Sequence, residues 1–265
     1  MSAVRPAAPA AESGTGLASE VLGGRFATNG LSTRTQIACA WSGLGLIVVV
    51  LAGFLLLAGF LPPPIHANDS AQHVADFYRD HADRVRAGVV IGFMGWVPWA
   101  SLTAVIAVQL ARMQPRRPVL ACVQAVTGTG GYVFLLLSMI ILLVASFRPG
   151  RSPEITQALH DLGWVTLFIT VPAFSTQALV IGLATLRSDP PVQVYPRWFG
   201  YFNVWVAILF VPALAIPFFK TGPLAWQGIL VYWLAFLVFF IWIIVMFFVI
   251  RRTALDEAAA AELEP

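Results

Sequence analysis

The chain has 265 residues, 58% hydrophobic and 11% charged, with a mean hydropathy of +0.80, which excludes an ordinary soluble domain and points to a membrane protein. Its net charge of +3 and pI near 9.2 do not signal nucleic acid, because the basic residues sit at the ends of apolar segments, where membrane orientation explains them. Cys39 and Cys122 show no CxxC or paired spacing; both read as small buried apolar side chains, without a disulfide frame or zinc site.

Residues 1–36 are rich in Ala, Gly, Ser, Thr and Pro, with Arg5, Arg25 and Arg34 among them, and read as a disordered cytoplasmic tail. Six apolar stretches follow: Ile37–Leu61, Val85–Ala111, Val119–Phe147, Leu159–Leu186, Trp198–Phe219 and Trp226–Ile250. Each has the ~20 residues that a membrane-crossing helix needs, with no charge near its middle. The first is too long for the ~7–15-residue core of a secretory signal and runs into Pro62, Pro63 and Pro64, so it reads as a retained helix. The expected fold is all-α: a polytopic bundle of six transmembrane helices over 37–252, closed by a short acidic cytoplasmic tail at 253–265.

Between the first two stretches, Asp69 or Ser70 is placed to cap a short amphipathic helix on the outer surface. Its wheel puts His73, Asp76, Asp80 and Asp83 on one face and Val74, Tyr78, Ala82 and Val85 on another. Asp76–Arg79, Arg79–Asp83 and Asp80–Arg84 have the spacing of helix ion pairs.

Orientation follows from the basic residues. Ten of the sixteen, including the cluster Arg112, Arg116 and Arg117 and the pair Arg251 and Arg252, fall on the side of the termini. Arg79, Arg84, Arg86, Arg148, Arg151 and Lys220 fall on the other. Both termini are therefore expected in the cytoplasm of a bacterium, at its inner membrane. The fifteen-to-one excess of Arg over Lys, with abundant Ala, suggests a GC-rich genome.

Small residues mark expected helix crossings. The second span carries Gly88, Gly92 and Gly95 on one face and Ala100, Ala104, Ala107 and Ala111 on another, which predicts a central helix; Pro98 should kink it. The third span aligns Gln124, Gly128 and Gly131, and the fourth aligns Thr166, Thr170, Ala173, Gln177 and Ala184, with a kink at Pro172. The sixth, bulky and apolar all round, is expected to be the most lipid-exposed. Val97-Pro98 with Ser101 matches Val171-Pro172 with Ser175, a pattern shared by duplicated hairpins and by coincidence in apolar sequence.

Three constellations are candidates for chemistry. Gln109, Gln124, Gln177 and Asn203 lie on four helices in the cytoplasmic half, where they either line a polar pocket for a neutral ligand or bond helix to helix. On the outer side, His73, Asp76, Asp80, His81, His160 and Asp161, with His66, Asp83 and Glu154 nearby, offer imidazole and carboxylate to a metal or form a solvated face. His81 and His160, at the outer ends of the second and fourth spans, are also candidates for haem ligation. No intramembrane charge suits an ion-driven pump, and no nucleotide, hydrolase or haem-attachment motif occurs, so no cofactor is evident.

The stretches FYRDHADRVRAGVV from Phe77, HDLGW from His160, PRWFGYFNVWVA from Pro196 and PFFKTGPLAW from Pro217 resemble an uncharacterised, mainly actinobacterial family of multi-span membrane proteins. The resemblance covers most of the chain after residue 36 and carries no activity, substrate or catalytic residue with it. The expected role is a binding, accessory or transporter-like component, in contact with lipid and with a membrane partner or a small neutral or lipophilic ligand. The competing class is a membrane enzyme or redox protein that uses the outer His/Asp group.

Overall fold

The computed structural model describes residues 32–114, 117–188 and 193–263. Residues 1–31 of the expected 1–36 tail, with Arg5 and Arg25, and the loop residue Arg116 lie outside them. Helix α1 spans Thr33–Val50 and runs on as a π-helical stretch, Leu51–Leu57. A short helix α2, Ala71–Asp80, precedes α3, Ala82–Gly95, and α4, Trp99–Arg112. Then come α5, Val119–Phe147; α6, Pro153–Ile169; α7, Val171–Arg187; and α8, Arg197–Leu209, extended by a 3-10 stretch, Val211–Phe218. A π turn, Ile229–Trp233, leads into α9, Leu234–Leu263. No strand occurs among the described residues. Six of these units are long and apolar enough to cross a membrane: Thr33–Leu57, Ala82–Arg112, Val119–Phe147, Pro153–Arg187, Arg197–Phe218 and Ile229–Ala260. The protein is an all-α, multi-pass membrane bundle.

The first span takes in Thr33–Gln36, which hydropathy alone leaves in the tail, and α9 continues well past Arg252. Proline places the breaks in the second and fourth spans. Without an N–H, Pro98 cannot continue the ladder, and three-residue turns separate α3 from α4 at Trp96–Pro98. Pro172 does the same after Thr170, whose hydroxyl donates back to the Leu167 carbonyl. The two prolines share a motif but not an environment: Ser101 is exposed, while the Ser175 hydroxyl is buried with no protein partner.

The glycine face of the second span packs as expected. A Cβ on Gly88 would lie 2.3 Å from the Ala58 nitrogen and 2.6 Å from the Gly53 carbonyl oxygen, so α3 rests directly on the backbone of the π turn in the first span. Gly92 faces Phe54 in the same crossing. Gly59, with φ +81, ends the span in a conformation that other residues rarely adopt. The Arg84 guanidinium donates to the Leu57 carbonyl and adds a second donor to the Leu56 carbonyl, which also accepts from the Gly59 N–H.

Three expectations are corrected. The alanine face is not a second crossing: Ala100 and Ala104 are exposed, and the bulky face of Trp99, Leu102, Val105 and Ile106 is the buried one. The sixth span is not the most exposed, since half of it is buried against 39% of the third. Its residues Trp242, Ile243, Met246 and Ile250 form core, and Ile243 packs at Gly43 of α1. Cys122 is exposed rather than buried.

Helix α2 divides as its wheel predicts. Val74 and Tyr78 are buried, His73 and Asp80 exposed, and the Ser70 hydroxyl accepts from the His73 N–H at its start. Of the three expected ion pairs one forms, Asp76–Arg79, and Arg79–Asp83 and Asp80–Arg84 do not. Asp76 holds Arg79, but Arg84 serves the first span, and Asp83 pairs with Arg86. Arg86 also donates to the Ser146 and Phe147 carbonyls that end α5.

Candidate functional site

The four amides do not meet in one pocket. Gln109, near the end of α4, accepts from the Tyr195 hydroxyl at 2.7 Å and donates to Gln36 Oε1 at 2.7 Å. Gln36 donates to Glu257 Oε2 at 3.1 Å, and Arg112 pairs with the other oxygen of that carboxylate. This clasp joins α1, α4, α9 and the segment before α8 at the bundle end opposite α2. Burial raises the Tyr195 hydroxyl above its ordinary range; Glu257 adds to this and Arg112 opposes it. The sequence holds no signal for the clasp, because residues 36, 109, 195 and 257 share no periodicity. Asn203 is satisfied elsewhere: it accepts from the Trp242 indole N–H at 2.9 Å and donates to the Phe199 carbonyl.

Gln124 and Gln177 remain, and both are different. They are 0% and 1% exposed, and Gln124 Oε1, Gln124 Nε2 and Gln177 Nε2 have no protein partner. The Thr103 hydroxyl on α4 is likewise buried and unpartnered. Gly128 brings Gln177 and Thr103 together. A Cβ there would stand 2.7 Å from Gln177 Nε2 and 3.0 Å from the Thr103 methyl, so the Gln177 amide occupies the notch that glycine leaves. Gln124 sits one turn away from Gly128 on the same face of α5. The Gly128 carbonyl accepts from the Trp99 indole at 3.0 Å, which holds the crossing in register. Amides and hydroxyl together offer donors and acceptors without net charge. Each such group left unpaired away from water costs about 1–3 kcal/mol, which sets these residues apart from the bonded amides Gln109 and Asn203.

The α2 end has another composition. His160 is 1% exposed, and its Nδ1 lies 2.8 Å from the Tyr78 hydroxyl. Its ring meets Trp226 edge-on at 4.7 Å, and its Nε2 has no protein partner. Burial, with the nearby Asp161 carboxylate, raises the Tyr78 hydroxyl above its ordinary range. His81 instead stacks on Phe77, with its Nδ1 at the Phe77 carbonyl, so α2 engages both candidate haem ligands through its own side chains and backbone. The remaining metal candidates are dispersed. His73 lies 3.6 Å from Asp69, Asp76 accepts from Gln72 and Arg79, and Asp80, Asp161, His66 and Glu154 are exposed. Among the described residues no three His, Cys, Asp or Glu side chains converge.

Family models, curated proteins and solved structures yield no match to the chain.

Proposed function

We propose that this multi-pass membrane protein is a ligand-binding or accessory component, and that it holds a small neutral molecule or headgroup at Thr103, Gln124 and Gln177. The observation that carries the reading is the set of four buried, unpartnered polar atoms on α4, α5 and α7 around Gly128. Amides that served only to join helices would bond each other, as Gln36 and Gln109 do. The proposed setting is a bacterial cytoplasmic membrane, with the clasp end inward. Its support is the ten-to-six split of basic residues.

The double variant Gln124→Met, Gln177→Met tests the reading, since methionine keeps the volume and removes the polar atoms. Once wild type has been stripped of bound compound, the variant should melt at or above it in detergent, because unpartnered amides contribute nothing to the fold alone. Solvent extracts of wild-type protein purified from its native membrane should contain a neutral compound that extracts of the variant lack. A variant that melts lower and retains the same extract would mark the amides as helix glue and overturn the proposal.

A further inference from the structure

At the clasp end, a groove of about 480 Å³ opens between the start of α8 and the last turns of the sixth span. Its apolar lining includes Val245, Phe248 and Val249, and Phe248, within a span, is 60% exposed. Trp198, 55% exposed and in the first turn of α8, flanks it, and a ring at the end of a span is the type that anchors at headgroups. The rim carries a charged pair, Arg252 and Asp256, one turn apart, with Arg252 Nε 3.7 Å from Asp256 Oδ2. Both side chains are largely exposed and reach toward water.

From this geometry we infer that the groove binds one phospholipid with an ethanolamine headgroup, its phosphate on Arg252, its ammonium on Asp256 and an acyl chain along Val245, Phe248 and Val249. A tail needs an apolar channel in the bilayer, and a headgroup needs partners where that channel meets water. A lone arginine would favour any anionic lipid. The carboxylate beside it changes the choice: it repels a net negative headgroup and accepts hydrogen bonds from a primary ammonium. A choline headgroup has no N–H to donate, so it matches the charge but not the hydrogen bonding. This site is separate from the buried amides and stands or falls independently of them.

Native mass spectrometry of the delipidated full-length protein, with added phosphatidylethanolamine, phosphatidylglycerol or phosphatidylcholine of identical acyl chains, reads the preference directly. The wild type should bind phosphatidylethanolamine about three- to fivefold more than either other lipid, the scale of a single exposed charge contact. Asp256→Asn should erase the advantage over phosphatidylglycerol, and Arg252→Gln should weaken binding of both. Both positions are exposed, so the melting temperature should not move. Equal binding of the three lipids by wild type, or an unchanged preference in Asp256→Asn, would overturn the assignment.

Discussion

The Tyr78 hydroxyl on the surface helix α2 lies 2.8 Å from Nδ1 of His160 in the fourth span, and both side chains are sealed from solvent. Tyr78→Phe keeps the ring and removes the bond, which leaves a buried imidazole nitrogen without its partner. It should lower stability in detergent by about 1–3 kcal/mol. An unchanged melting curve would show that α2 is held by its apolar face alone.

Tyr78 and Tyr195 also give the protein an alkaline limit. Both hydroxyls are raised by burial in the folded state, while unfolded tyrosine titrates at about 10. Below about pH 10 both states keep the proton and stability is flat. Above it the unfolded state loses protons that the folded state retains, so stability falls as pH rises. Each tyrosine contributes a slope of about 1.4 kcal/mol per pH unit. Unfolding of Tyr78→Phe, Tyr195→Phe measured from pH 8 to 11 should therefore show a shallower alkaline decline than wild type.

Glycine substitutions should separate by location. Gly88→Ala drives a methyl against the backbone of Ala58 and Gly53, which cannot rotate away, and should prevent normal assembly. Gly92→Leu should also lower the melting temperature far more than Phe240→Leu, because a Cβ at residue 92 already meets Phe54 Cβ at 2.6 Å. Gly130→Ala, with nothing within 4 Å of the new methyl, should be neutral or should stabilise by about 0.5–1 kcal/mol through helix propensity. Equal effects at residues 88 and 130 would contradict the crossing of α3 on the first span.

Arg86 joins the start of the second span to the end of the third. Arg86→Ala strips two carbonyls of their donor and should cost about 1–2 kcal/mol. Asp83→Asn should have no measurable effect, since that carboxylate is 99% exposed and its pair with Arg86 is screened by water. Chemical denaturation of the two variants side by side makes the comparison.

The proposed orientation predicts that a reporter fused after Arg252 reads out in the cytoplasm and one inserted at Gly150 reads out on the far side. The opposite pattern would place the α2 helix inward and reverse the leaflet of the lipid groove.

The number of spans, the breaks at Pro98 and Pro172, and the two faces of α2 were legible in the sequence because hydropathy, missing N–H groups and the helical repeat are local properties. Which faces meet was not. Gly88 and Ala104 carry the same small-residue signal, yet one lies at a backbone crossing and the other is exposed. Lipid receives a methyl as readily as a neighbouring helix does, so composition cannot choose between them. The amides follow the same rule. Their burial could be anticipated from the spans, but a side chain's partner is set by what stands opposite. Only the packed bundle gave Gln109 to Gln36 and Tyr195, gave Asn203 to Trp242, and left Gln124 and Gln177 with Thr103 around Gly128.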